Sequence, residues 1–254
     1  MDDAEFTRQI RSAWTLLNAD LKLGRAIICN VSLDVDTEFR KVALAPESSY
    51  AQIYKVGLTR SAYNILLRDY SFFQFSWESD HSWRMAYLPN PWITGVADAS
   101  RIVTQWEALE EMGELTHEEA SDLIDELPYR GAVPPIRFDY SRSGYREIGH
   151  PAAHFHVGRD TDNRWPCALL LGPTAFAMMI ARLYYSDQWR PLSSFETAGV
   201  VDCFDIRFAQ VIQASGSVPE FTDTEQRMLH LGRNMVPIER VVDHEPQHRR
   251  RPRR

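Results

Sequence analysis

An α+β fold, an antiparallel sheet or sheets flanked by helices, is what this 254-residue chain predicts. Three observations point to it. Apolar residues recur at helical spacing at the amino terminus and through the carboxy-terminal third. Short runs rich in Ile, Val, Tyr, Phe and Trp, separated by turn residues, fill the stretch from 52 to 88. A second pair of runs, around 137–140 and 154–157, alternates with period two.

The elements follow in order. Asp2 and Asp3 open a helix over residues 2–22, with Phe6, Ile10, Ala13, Trp14 and Leu17 on its apolar side. Ala26–Val35 is compatible with a strand, closed by Pro46. Gln52–Leu58, Ser61–Leu67, Phe72–Trp77 and Trp83–Leu88 read as an antiparallel meander whose turns use Gly57, Asp69 and Asp80 and which ends at Pro89-Asn90-Pro91. Its aromatics suit core and cross-strand packing better than base stacking. Ile102, Trp106, Leu109 and Met112 share a helix face, and Thr116-His117-Glu118-Glu119 is a capping box for a helix that Pro128 stops. Pro134-Pro135 leads into the second β section, and Pro173 starts an apolar helix with Phe176, Met179, Ile180 and Leu183 spaced for burial. Helical stretches over Ser194–Gln213 and Asp223–Asn234 complete one domain spanning residues 1–243.

Composition excludes several classes. With 44% hydrophobic and 25% charged residues the chain carries enough apolar material for a substantial core, which rules out general disorder. No apolar run approaches the roughly 20 residues of a membrane span. The acidic start, MDDAEFTRQI, lacks the features of a secretory signal, and Cys29, Cys167 and Cys203 form neither a disulfide framework nor a CxxC knuckle, so a reduced, cytoplasmic protein without membrane contact is expected. A net charge of -7 argues against a surface coated for nucleic acid. The exception is the tail 244–254, which ends Arg249-Arg250-Arg251-Pro252-Arg253-Arg254; with no apolar residue to bury, it is expected to be disordered.

Glycine-rich phosphate loops, GxSxG and PCxxC are absent. What remains is Arg137-Phe138-Asp139-Tyr140, followed after a polar loop by His150-Pro151-Ala152-Ala153-His154-Phe155-His156-Val157-Gly158. If both runs are strands, Phe138, Tyr140, Phe155 and Val157 take one face, and Arg137, Asp139, His154 and His156 take the other, with His150 at the loop mouth. Such a face supports two chemistries. His154, His156 and Asp139 could ligate a divalent metal ion that activates a water. Without a metal, the histidines could act as general base and acid while Arg137 steadies phosphate charge. Both lead to phosphodiester cleavage, and the second is the better fit because Arg137 has an obvious role in it. The bland alternative is a solvated strand face with an Arg137–Asp139 ion pair, although such faces favour Thr, Lys and Glu. A histidine-triad hydrolase would need HxHxH, and alanine stands at 152. His81 and His230 read as structural or exposed.

The segments Tyr63–Phe75, Tyr87–Pro91, Arg137–Tyr140, His150–Gly158 and Pro173…Tyr185 resemble a family of bacterial hypothetical proteins known only as a domain of unknown function, over about residues 50–190. The RxDY…HxHxG pattern is also similar to TumE-type toxins of toxin–antitoxin modules. That second resemblance implies a toxin or phage-defence setting, with Arg137, Asp139, His154 and His156 at the motif positions. Two functions are therefore expected. One is a toxin-like or defence-associated nuclease acting on RNA or DNA. The other is a non-enzymatic antitoxin-like or adaptor subunit that binds a protein encoded nearby.

Overall fold

A computed structural model describes residues 1–25, 29–33, 36–95, 99–116, 119, 122–123, 126–159, 162–193 and 203–228. Helix α1 (Asp3–Thr15) begins where the Asp2 carboxylate accepts a hydrogen bond from the Glu5 amide at 2.7 Å. It runs on into a π-helical turn, Leu16–Asp20. Phe6, Ile10, Ala13 and Leu17 face inward, as their spacing predicts. Helices α2 (Thr37–Leu44) and α3 (Tyr50–Thr59) follow, capped by Asp36 and by a Ser49/Gln52 capping box.

The strands are β1 (Ile65–Leu66), β2 (Phe72–Ser79), β3 (Ser82–Leu88), β4 (Ile136–Ser141), β5 (Ala153–Val157) and β6 (Trp165–Pro166). Helix α4 (Ala99–Glu111) lies between β3 and β4 in the chain. Both β sections join in a single antiparallel sheet with the strands in sequence order. A short pair, β7 (Leu169–Leu170) and β8 (Gly216–Ser217), stands apart from it. Helices α5 (Pro173–Tyr184), α6 (Ser186–Ser193), α7 (Phe204–Ala214) and α8 (Asp223–Met228) complete the α+β architecture. Among the described residues no helix is long and apolar enough to cross a membrane.

Strand alternation divides the side chains between the two faces of the sheet. Phe73, Phe75, Trp83, Met85, Tyr87, Phe138 and Tyr140 join the larger core with α1 and α5. Phe72, Leu88 and Leu66 join a second core with Tyr54 and Ile53 of α3 and Trp106 of α4. This second core reaches Ala86 on β3. Beyond Ala86 the same face of the sheet turns polar, and the candidate site lies there.

Several expectations are corrected. Gln52–Leu58 is helical, not a strand: Ile53, Tyr54, Gly57 and Leu58 are the buried positions, a helical rather than an alternating pattern. Only Ile65–Leu66 of Ser61–Leu67 is strand, because Ser61 takes a positive φ of 50° at the end of α3 and delays the extension. In Ala26–Val35, residues 29–33 form no strand, and the rest of that stretch lies outside the described residues; α2 occupies 37–44. Met112 and Leu183 are exposed, Met112 because α4 ends at Glu111. The Thr116/Glu119 capping box is present, each residue bonded to the other's amide. Residues 194–202 and 229–254, including the basic tail, lie outside the described residues.

Candidate metal centre

The register of β4 against β5 places Arg137 opposite His156 and Asp139 opposite His154. Opposed residues in an antiparallel pair point the same way, so the four side chains share one face as their alternation predicts. Strand β3 adds Arg84 opposite Asp139, and β6 adds Pro166 opposite His154. Two rows cross the sheet: Arg84–Asp139–His154–Pro166, and Ala86–Arg137–His156.

The contacts within this face are specific. His154 Nδ1 lies 2.8 Å from the Pro151 carbonyl oxygen. A carbonyl only accepts, so Nδ1 carries the proton and Nε2 presents its lone pair. That Nε2 is 3.0 Å from His156 Nε2, which lies 3.5 Å from Asp139 Oδ2. One ligand atom each from Asp139, His154 and His156 fits within a 4.8 Å spread. Arg84 Nε donates to Asp139 Oδ1 at 2.9 Å and Arg137 Nε to Oδ2 at 3.0 Å. The two imidazoles are only 2% and 3% exposed, whereas the Arg84 side chain is 61% exposed and Arg137 33%. The rings therefore form the floor of the site and the guanidiniums its rim.

Burial pushes the His154 ring down to about 4, with His156 and His150 adding to the effect. For Asp139, burial alone would raise the carboxyl. The hydrogen bond with His156 and the guanidiniums of Arg84 and Arg137 outweigh it and hold the group at about 2. Burial also draws Arg137 below its ordinary value.

His150 stands beside the three rather than among them. Its ring meets His154 edge to face at 5.0 Å, and burial followed by the Arg164 charge lowers its pKa. It closes a loop in which Arg146 and His150 exchange backbone hydrogen bonds. The loop is strapped to the region around α8: Ile148 N donates to Glu225 Oε1 at 3.2 Å, Thr222 Oγ1 to Glu147, and Arg142 pairs with Glu220 at 2.7 Å.

Sequence reasoning brought together Arg137, Asp139, His154 and His156 but missed Arg84. Its position in β3 alternates correctly, yet only the β3–β4 register shows which residue it faces. One further string, His244-Glu245-Pro246-Gln247-His248, has the spelling of a helical zinc motif and falls outside the described residues. Pro246 within it opposes the continuous helix that this chemistry needs.

Neither a curated protein nor a solved structure matches the chain. A family profile described as an uncharacterized conserved protein (DUF2290) matches residues 23–232, a longer span than the motifs alone delimit. The chain accordingly belongs to the DUF2290 family of uncharacterized conserved proteins.

Proposed function

We propose that this protein is a metal-dependent nuclease that cleaves RNA or DNA phosphodiesters in a toxin-like or phage-defence setting. The observation that carries the proposal is the convergence of His154 Nε2, His156 Nε2 and an Asp139 oxygen. Two atoms bound to one tetrahedral ion at roughly 2.0–2.1 Å lie about 3.4 Å apart. The His154–His156 and His156–Asp139 separations, 3.0 and 3.5 Å, lie on either side of that value. The remaining pair, His154 and Asp139, lies within the 4.8 Å spread of the three, so seating zinc, manganese or a similar ion would draw these two side chains together by up to about 1.4 Å.

Such an ion supplies a water made nucleophilic near neutral pH. The residues do the rest. The Pro151 carbonyl fixes the His154 tautomer with its lone pair toward the ligand position, the usual outer support of a ligating histidine. Arg84 and Arg137 orient the Asp139 carboxylate, and Arg137 places positive charge where a phosphate oxygen becomes more negative during attack. The same 3.0 Å contact weighs against metal-free chemistry. A general base and a general acid act on opposite sides of the scissile bond, and nitrogens that touch cannot enclose it. A nearby-encoded protein partner suits a toxin setting and belongs to the same proposal.

The full-length protein, analysed for metal and incubated with labelled RNA and DNA with and without EDTA, provides the test. Expected are one equivalent of a divalent transition metal and EDTA-sensitive cleavage, both lost in the His154→Ala/His156→Ala protein. Cleavage that survives the double substitution overturns the assignment. Bound metal without cleavage of either nucleic acid makes the centre structural and leaves the binding-subunit role.

A further inference from the structure

Arg84 and Arg137 each spend one nitrogen, Nε, on Asp139. Both side chains stay partly exposed at the rim of the site. A third guanidinium joins them. On β6, Pro166 faces His154 and Trp165 faces Phe155, and Arg164 directly precedes the strand, where one further step in the same register would set it beside His156. Alternation puts it on the same face as Pro166. The Arg164 charge lowers the pKa of both Arg137 and His150, in keeping with that placement. Its Nε is buried without a hydrogen-bond partner among the described residues, and its ion pair with Asp162, at 3.4 Å, is with a side chain itself 89% exposed.

A chain of net charge -7 thus gathers three guanidiniums around Asp139, with the exposed Asp162 as the other carboxylate in reach, a net positive cluster. Like charges are held together at a cost, and an anion removes it. Planar forks that keep N–H groups free suit tetrahedral oxyanions bound two oxygens at a time. We infer that Arg84, Arg137 and Arg164 form a phosphate-binding crown over the Asp139/His154/His156 centre, making the preferred ligand a phosphate group. This rests on the nuclease proposal for the ligand's origin but not for its detection.

The probe is inorganic phosphate, titrated calorimetrically into the full-length protein with its metal content measured in parallel. Arg84→Gln and Arg164→Gln are each expected to weaken phosphate binding by about tenfold or more, the scale of a hydrogen bond to a charged group. Arg84→Lys should recover part of the loss, since it restores charge without the fork. Metal content should stay unchanged in Arg164→Gln, because Arg164 bonds to none of the proposed ligands. Variants that bind phosphate as tightly as the parent, or a parent that binds none, overturn the crown. Phosphate binding without metal sustains the crown and refutes the metal centre; metal without phosphate does the reverse. Comparing a dinucleotide with and without a 5′-phosphate separates the sources. Tighter, crown-dependent binding of the phosphorylated form identifies a strand end, and equal crown-dependent binding an internal phosphodiester.

Discussion

His154 and His156 touch nitrogen to nitrogen at 3.0 Å, although side chains two positions apart on a strand start about 6.7 Å from one another. The rings must lean together to meet, and what holds them differs. His154 is tied to the Pro151 carbonyl and His156 to Asp139. Each ring thus has its own anchor, and removing one leaves the other in place. His154→Ala and His156→Ala should each abolish binding of the proposed metal while lowering the stability of the metal-free protein by only about 1–2 kcal/mol, as judged by urea unfolding. A loss well beyond that would show the rings to be core packing rather than ligands.

Asp139 is the hinge of the charge balance. Its two oxygens take Nε from Arg84 and Arg137, and a carboxylate held by such donors cannot be deleted without leaving them unpaired. Asp139→Ala should cost about 1–3 kcal/mol, most of it from the half-buried Arg137. Asp139→Asn, which keeps an acceptor, should cost less. Denaturant midpoints for the two proteins, measured side by side, would settle the order.

Much of this site was legible because β4 and β5 alternate cleanly. Apolar Phe138 and Tyr140 between Arg137, Asp139 and Ser141 fix the face of every side chain once the strands are antiparallel. Arg84 was illegible for the complementary reason: which residue it faces is set by pairing with a strand more than fifty residues away. Helix α3 misled through composition. Its Ile, Tyr and Val suggest a strand, while the deciding signals, the Ser49/Gln52 capping box and burial at 53, 54, 57 and 58, are positional. Helix α2 was missed because it and its Asp36 cap stand between the expected strand Ala26–Val35 and Pro46, in residues assigned no element.

Gly57 tests the corrected assignment of α3. In an open helix, glycine to alanine gains up to about 1 kcal/mol. Here an added Cβ would lie 2.7 Å from Phe72 Cζ and 3.0 Å from a Phe39 ring carbon, inside the second core. Gly57→Ala should therefore destabilise the protein, by about 1–3 kcal/mol less the helical gain, while metal content is unchanged. Greater thermal stability in the variant would mean that α3 does not pack on β2 in this way.

Ile148 carries a different kind of strain. A β-branched residue at φ 67° is sterically disfavoured, and half of this side chain is in solvent, so burial offsets little of the penalty. The Glu225 carboxylate holds its amide instead. Ile148→Asn keeps that amide and tolerates the left-handed conformation, and should raise stability by about 1 kcal/mol in a thermal unfolding comparison. No gain would show that the loop's anchors do not depend on this geometry.

Asp69 offers a test by pH away from the metal centre. Its carboxylate accepts from the Ser71 amide and hydroxyl, from Thr94 Oγ1 at 2.9 Å and from the Tyr185 hydroxyl at 3.0 Å, and Tyr185 also meets Tyr87 at 2.8 Å. All but Thr94 come from the DYSF, YLPNP and LYY segments on which the family resemblance partly rests, and their meeting ties β2 and β3 to the end of α5. Burial raises the Asp69 pKa, and the four hydrogen bonds only partly oppose it. For an acid whose folded pKa exceeds its unfolded value, the protonated form favours folding. That contribution is complete below the ordinary Asp value near 4 and fades as pH rises through the folded pKa. Asp69→Asn cannot ionise, so the parent should lose stability relative to this variant as pH increases from about 4 upward. Urea midpoints of both proteins across that range would show the gap; a parent that gains on the variant with rising pH would mean that its four donors hold Asp69 ionised and that the knot is anchored by charge.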